Sequence, residues 1–325
     1  MRTPLLTFVL SLLATPLCAQ DLRRGLVDAD VVVVGRQVGK KAHDDDLTLH
    51  RVQVVFDVVG GGGNTAVTVL DWPKLSLHVR PMPRQARLYC LQDASTTATR
   101  LGLPASDGPY YRMVAWPGSN PLIGAEPAND ATVRFAQLLR PSGTGLAPAD
   151  TASALCTVAL GGDATLRLEA AHFLVERPDL RSKLLGLQWN QLLTRATGEI
   201  EDVPYKIALA ELCAEQRLDG VFDALIVSLG QVTDVEFART VGRIGKALHG
   251  EAAADKLGER LRTAGQPEDR RALLLALGAT NTQAALDALL RMDKKDAAVE
   301  AALREHRSPR AKEALGGKPP AKKPQ

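Results

Sequence analysis

The chain reads as an α+β protein in two domains, a small antiparallel β-barrel or sandwich followed by an α-helical solenoid. Three observations predict this. Residues 30–116 run in short apolar stretches with turn residues between them, residues 148–307 carry one amphipathic helix pattern after another, and the helical segments repeat one design. A length of 325 residues accommodates two domains with cores of their own.

The strands come first. Asp30 to Val38, Leu49 to Val59, Ala66 to Trp72, Leu75 to Arg80, Arg87 to Gln92 and Tyr110 to Trp116 are rich in β-branched and aromatic residues. Within the second, Val52, Val54, Phe56 and Val58 fall on one face, the period-2 signature of a half-buried sheet. Five or six short strands in about ninety residues are expected to close or half-close on themselves. The β-domain is placed at 20–116. Residues 117–147 then read as a linker in which Pro117, Pro121, Pro127 and Pro141 leave room for one short helix at Ala131 to Leu139.

The helical half follows at 148–307. Lys206 to Leu212, followed by Leu218 to Leu225, is echoed by Arg271 to Leu277 followed by Ala284 to Leu290. A cruder copy is Leu166 to Ala171, followed by Leu180 and Leu184. One helix pair of this kind does not bury its own apolar face, so the pairs are expected to stack and to present an extended surface. Residues 308–325 are expected to form a disordered basic tail, carrying Lys318, Lys322 and Lys323, that solubilises the chain or brushes an anionic envelope surface.

Residues 1–19 read as a signal peptide: Arg2 is the positive flank, Leu5 to Leu13 the short apolar region, and Leu17-Cys18-Ala19 the cleavage site. Cleavage near Ala19 places the chain in the periplasm or outside the cell. A lipid anchor at Cys18 is disfavoured because Leu17 stands where a lipobox needs a small residue. No other segment is apolar enough to cross a bilayer, which leaves peripheral envelope contact at most.

Composition narrows the partner. Aromatics make up 4% and the net charge is +3, so the stacking platforms and strong positive field of a nucleic-acid binder are absent. No cofactor motif and no hydrolase signature occur: there is no Gly-x-Ser-x-Gly elbow, no His-Glu-x-x-His and no Cys-x-x-Cys. The tetraglycine Gly60 to Gly63 lacks the Gly-Lys-Ser/Thr of a phosphate loop and reads as a turn. His43, Asp44, Asp46 and His50 bring imidazoles and carboxylates within eight residues, either as hard-cation ligands or as a solvated hairpin connection. Cys156 and Cys213 lie on apolar helix faces, either bridged in an oxidising compartment or as two buried thiols. Arg167, Lys206, Arg243 and Arg271 occupy similar places in successive helices, either as a basic ladder along a groove or as ordinary solvated faces. Trp189 is either a partner-binding anchor or core.

Two resemblances sharpen the fold. The opening Ala29-Asp30-Val31-Val32-Val33-Val34-Gly35-Arg36, the long second strand ending in glycines, Val67-Thr68-Val69 and the turn before Arg87-Leu88-Tyr89 resemble the netrin or TIMP-like OB-barrel domains of exported bacterial proteins. Inhibitors of that family act through a cysteine at the mature N-terminus, whereas this chain begins Gln20-Asp21-Leu22 after cleavage, so inhibition is not implied. The helix pairs similarly resemble HEAT-like repeat proteins. The sequence therefore leads to an exported, non-enzymatic protein-binding scaffold of the bacterial envelope. The rival expectations are an envelope hydrolase or small-ligand-binding protein with its site between the β-domain and the helical array, and a metal-dependent adhesion role for residues 43–50.

Overall fold

The computed structural model of the chain describes residues 22–72, 85–114, 120–140, 146–161, 163–198, 202–231 and 234–316. The signal segment and the expected strand Leu75 to Arg80 lie outside them. A closed five-stranded barrel is followed by an extended series of helices, so the α+β class stands. Contacts group the chain into two compact units, residues 1–173 and 174–325.

In the first unit, helix α1 (22–28) precedes strands β1 (Val31–Ala42), β2 (Thr48–Val59), β3 (Ala66–Asp71), β4 (Arg87–Asp93) and β5 (Tyr110–Met113). They close in the order β1-β2-β3-β5-β4, with β4 returning to β1. The expected antiparallel sheet is corrected at one seam, because β3 and β5 pair parallel through Thr68↔Tyr110 to Leu70↔Arg112. The reason is parity: a ring with an odd number of strands cannot alternate direction all the way round.

The alternation along β2 works as its sequence predicts. Val52 points inward with Val31, Val33, Val67, Val69, Tyr89, Leu91 and Tyr111, and these fill the barrel. Leu47, Leu49, Leu70 and Tyr110 point outward and are covered by Ala94 and Ala98 around helix α2 (Ser95–Arg100). Gly35 is where β1 comes closest to β2, since a Cβ there would stand 2.4 Å from Val52 Cγ1. The tetraglycine is a turn held by Asp57, whose carboxylate accepts the Gly61 N–H at 2.9 Å. Helices α3 (Ala131–Leu139), α4 (Pro148–Gly161) and α5 (Ala164–Glu176) follow; α3 packs on β2 and α4 packs on α3.

The second unit carries α6 (Pro178–Arg181), α7 (Gly186–Thr197), α8 (Val203–Glu215), α9 (Val221–Ser228), α10 (Val235–His249), α11 (Ala252–Thr263), α12 (Pro267–Ala279), α13 (Gln283–Leu290), α14 (Ala297–Glu305) and α15 (Pro309–Ala314). Two layers form. One is α8, α10, α12 and α14 in succession; the other is α9, α11, α13 and α15. First-layer helices begin at Val203, Val235, Pro267 and Ala297, a unit of about 32 residues. Each start has a local cause. Asp202, Asp234 and Asp296 cap α8, α10 and α14 by accepting N-terminal backbone N–H groups, and α12 starts on Pro267, whose missing N–H costs nothing there.

Close approach joins the layer. A Cβ at Gly242 of α10 would lie 2.2 Å from Ala276 O of α12, and a Cβ at Gly278 of α12 would lie 2.2 Å from Ala302 O of α14. With glycine and alanine at these crossings the backbones touch directly, and every residue from Ala272 to Thr280 is buried. Part of the expected tail is ordered: Ser308 caps α15 and Ala311 is fully buried.

Candidate binding surface

The four basic residues singled out in the sequence do not form one ladder. Arg167 is half-buried on α5 in the first compact unit, and the other three belong to the second. Lys206 is a correction to the exposed-contact expectation, since it is wholly buried. Its ammonium donates to Gly198 O at the end of α7 at 2.8 Å and lies 4.9 Å from the Phe237 ring centroid on α10. Burial pushes its pKa below the ordinary lysine value. The signal was present in the sequence: Tyr205, Ala208, Leu209, Ala210, Leu212 and Cys213 make α8 apolar on nearly every side, which leaves no solvated face for position 206.

Arg243 and Arg271 are exposed. Arg271 lines a shallow groove of about 620 Å³ at the starts of α12 and α14, together with Arg270 and Asp296, which are ion-paired to each other. The Ala298 backbone N–H and then Arg270 hold the Asp296 carboxyl below the ordinary range.

Arg243 belongs to a different constellation, which sequence reasoning missed. It donates to Glu236 at 3.0 Å and to Thr240 Oγ1 at 2.7 Å. Glu236 also pairs with Arg239 at 3.3 Å, and Arg239 reaches Glu305 on α14. Because α12 lies between α10 and α14, that last pair spans α12. Glu211 on α8 lies within the field of Arg243; burial raises its carboxyl pKa, with Arg243 opposing and Glu215 and Glu236 adding. Glu215 in turn stands 3.8 Å from Arg181. The result is a row of charged side chains, Arg181, Glu215, Glu211, Arg243, Glu236, Arg239 and Glu305, drawn from α6, α8, α10 and α14 and opposite in sign at every step except Glu215 to Glu211.

The remaining candidates have structural occupations. Asp44 accepts the backbone N–H groups of Asp46 and Leu47 at 2.8 and 2.7 Å, which shapes the β1–β2 connection. His50 is buried in the barrel and meets Asp71 at 3.2 Å, away from exposed His43. No group of three or more metal-ligating side chains assembles among the described residues. Cys156 is a free buried thiol, so the Cys156–Cys213 bridge is not formed; Cys213 is buried as well. The helical faces that carry them are core faces, which is why apolar spacing alone left both readings open. Trp189 is 5% exposed and belongs to the core of its unit. No helix among the described residues is long and apolar enough to cross a membrane.

Comparison of the chain with known protein families, with curated protein sequences and with solved structures finds no match.

Proposed function

We propose that this chain is an exported, non-enzymatic scaffold that holds a protein partner on its helical array. The observation that carries the reading is the single charge row from Arg181 to Glu305, which crosses stacked helices of similar design. A patterned row of both signs on a regular array favours register and orientation of a partner more than raw affinity. The recurrence of about 32 residues and the two-layer order support a HEAT-like array, and the β1-β2-β3-β5-β4 order supports an OB-like barrel.

The test is affinity capture from an envelope extract with the full mature chain and with Arg243→Glu. Arg243 is exposed, so reversing its charge alters the row without opening the core. The reading expects a protein retained by the wild type and lost by the variant, with salt-dependent retention. Equal recovery by both, or no retained protein, sinks it.

A further inference from the structure

Outside the helical array, one concavity on the barrel combines positive charge with a fixed donor. A groove of about 350 Å³ runs over the end of β1 and across β2 and β3, lined by Lys40, Lys41, Arg51, Thr68, Ser106 and Asp107. That volume falls at the small end of the range for ligand pockets.

Arg51 is the informative residue. Its Nη1 donates to Thr68 Oγ1 at 3.1 Å and to Asp107 O at 2.9 Å, and Thr68 Oγ1 itself donates to Asp107 O. The guanidinium is therefore held from one corner by two neighbours. Its Nε and Nη2 have no protein acceptor among the described residues, and that edge is the fork that matches two oxygens of an oxyanion. Lys40 and Lys41 are exposed and make no ion pair among the described residues. The groove thus carries three cations against the single carboxylate of Asp107, and the aspartates of the neighbouring connection do not line it.

Fixing a guanidinium before the ligand arrives lowers the ordering cost of binding, and the two flanking ammonium groups suit a doubly charged group better than a single carboxylate. We infer that this groove binds a small phosphate-type dianion, with Arg51 as bidentate anchor and Lys40 and Lys41 as flanking charges. Free phosphate and the phosphomonoester of a small metabolite share that chemistry. The inference stands on the barrel alone and does not depend on the role of the helices.

The experiment is isothermal titration of the full mature chain at low ionic strength, with inorganic phosphate in one arm and glycerol 3-phosphate in the other. Saturable binding of either is expected. A tighter ester identifies a phosphorylated small molecule as the ligand, and equal affinities identify the phosphate group itself. The double variant Lys40→Gln, Lys41→Gln alters exposed side chains only and is expected to weaken binding about tenfold with the melting temperature unchanged. Arg51→Lys keeps the charge and loses the fork, and is expected to weaken binding by a similar factor. Should Arg51→Lys fail to fold, the lysine pair decides. Arg262→Gln, an exposed charge on α11, is the control that leaves binding unchanged. No saturable binding, or binding equally strong in the lysine variant, overturns the inference.

Discussion

Replacing Gly278 by alanine tests whether the helical layer is built on backbone contact. The added Cβ would stand 2.2 Å from Ala302 O, 2.9 Å from Ala302 C and 3.1 Å from Ala302 Cα. These are main-chain atoms of α14, so no side chain can swing aside. Reaching an ordinary contact requires α12 and α14 to part by roughly 1 Å, which disturbs the packing of the buried stretch from Ala272 to Thr280. Overpacking of this kind costs about 1–3 kcal/mol, and the better helix propensity of alanine returns up to about 1 kcal/mol. The net expectation is a loss of about 1–2 kcal/mol, or a melting temperature lower by about 2–8 °C for a unit of this size. Gly258 on α11 supplies the matched control, because a Cβ there meets nothing within 4 Å. Gly258→Ala should gain about 0.5–1 kcal/mol from propensity alone. Thermal and urea melts of the full chain, read by near-ultraviolet circular dichroism, measure both. Gly278→Ala as stable as the wild type would refute the backbone contact, and equal losses in both variants would refute the assignment of the cost to α14.

Further expectations follow from the buried and capped groups. Burial penalises the charged form and holds the folded pKa of Lys206 below its unfolded value, so the stability attributable to this group rises as pH climbs from the folded pKa toward about 10.5. Lys206→Met should therefore exceed the wild type in stability by a margin that shrinks with rising pH in urea melts; a constant margin would contradict the burial argument. Burial pushes the Cys90 thiol up to about 12, against Arg140, and the Cys156 thiol up to about 11. Both should resist a thiol-reactive disulfide reagent at pH 8 until the chain is unfolded, and their contribution to stability should fall as pH rises through the unfolded value of 9.0. Rapid native-state labelling of either would be decisive against it. Asp296→Ala removes the cap of α14 and the partner of Arg270, with an expected loss of about 1–2 kcal/mol at pH 7. Because the Asp296 carboxyl titrates below 3.8 when folded, that difference should vanish as pH falls through its folded value, and a difference persisting into strong acid would show that the carboxylate is not its source.

Local pattern carried much of the architecture. The alternation of Val52, Val54, Phe56 and Val58 reports one half-buried strand because side-chain direction follows from the backbone of that strand alone. The helix pairs at 206–225 and 271–290 are visible for the same reason. What local pattern does not carry is pairing over distance. The parallel seam between β3 and β5 depends on the count of strands in the ring, and no residue of Tyr110 to Met113 encodes it. Arg239 on α10 and Glu305 on α14 meet across α12, and they stand 66 residues apart. Ala276, Gly278 and Ala279 among the leucines of α12 were the available clue to close packing there. Lys206 misled in the opposite way, because a cationic residue suggests solvent while the apolar girdle of its helix places it inside. On the barrel, Arg51 looked like one more polar residue of an alternating strand; its partners Thr68 and Asp107 come from elements that only the closed ring brings beside it.

Closure of the barrel also governs what the first unit offers to other chains. Where the ring closes, the strands are paired on both sides and an incoming strand finds nothing to extend, whereas Arg36 to Ala42 of β1 pair with β2 alone among the described residues. β5, with four residues, is the shortest strand of that ring, and its ladders to β3 and β4 are correspondingly brief. Losing that one strand would uncover two raw margins at once, along β3 with Val67, Val69 and Leu70 and along β4 with Leu88, Tyr89 and Leu91. A four-residue clasp thereby keeps those two margins covered.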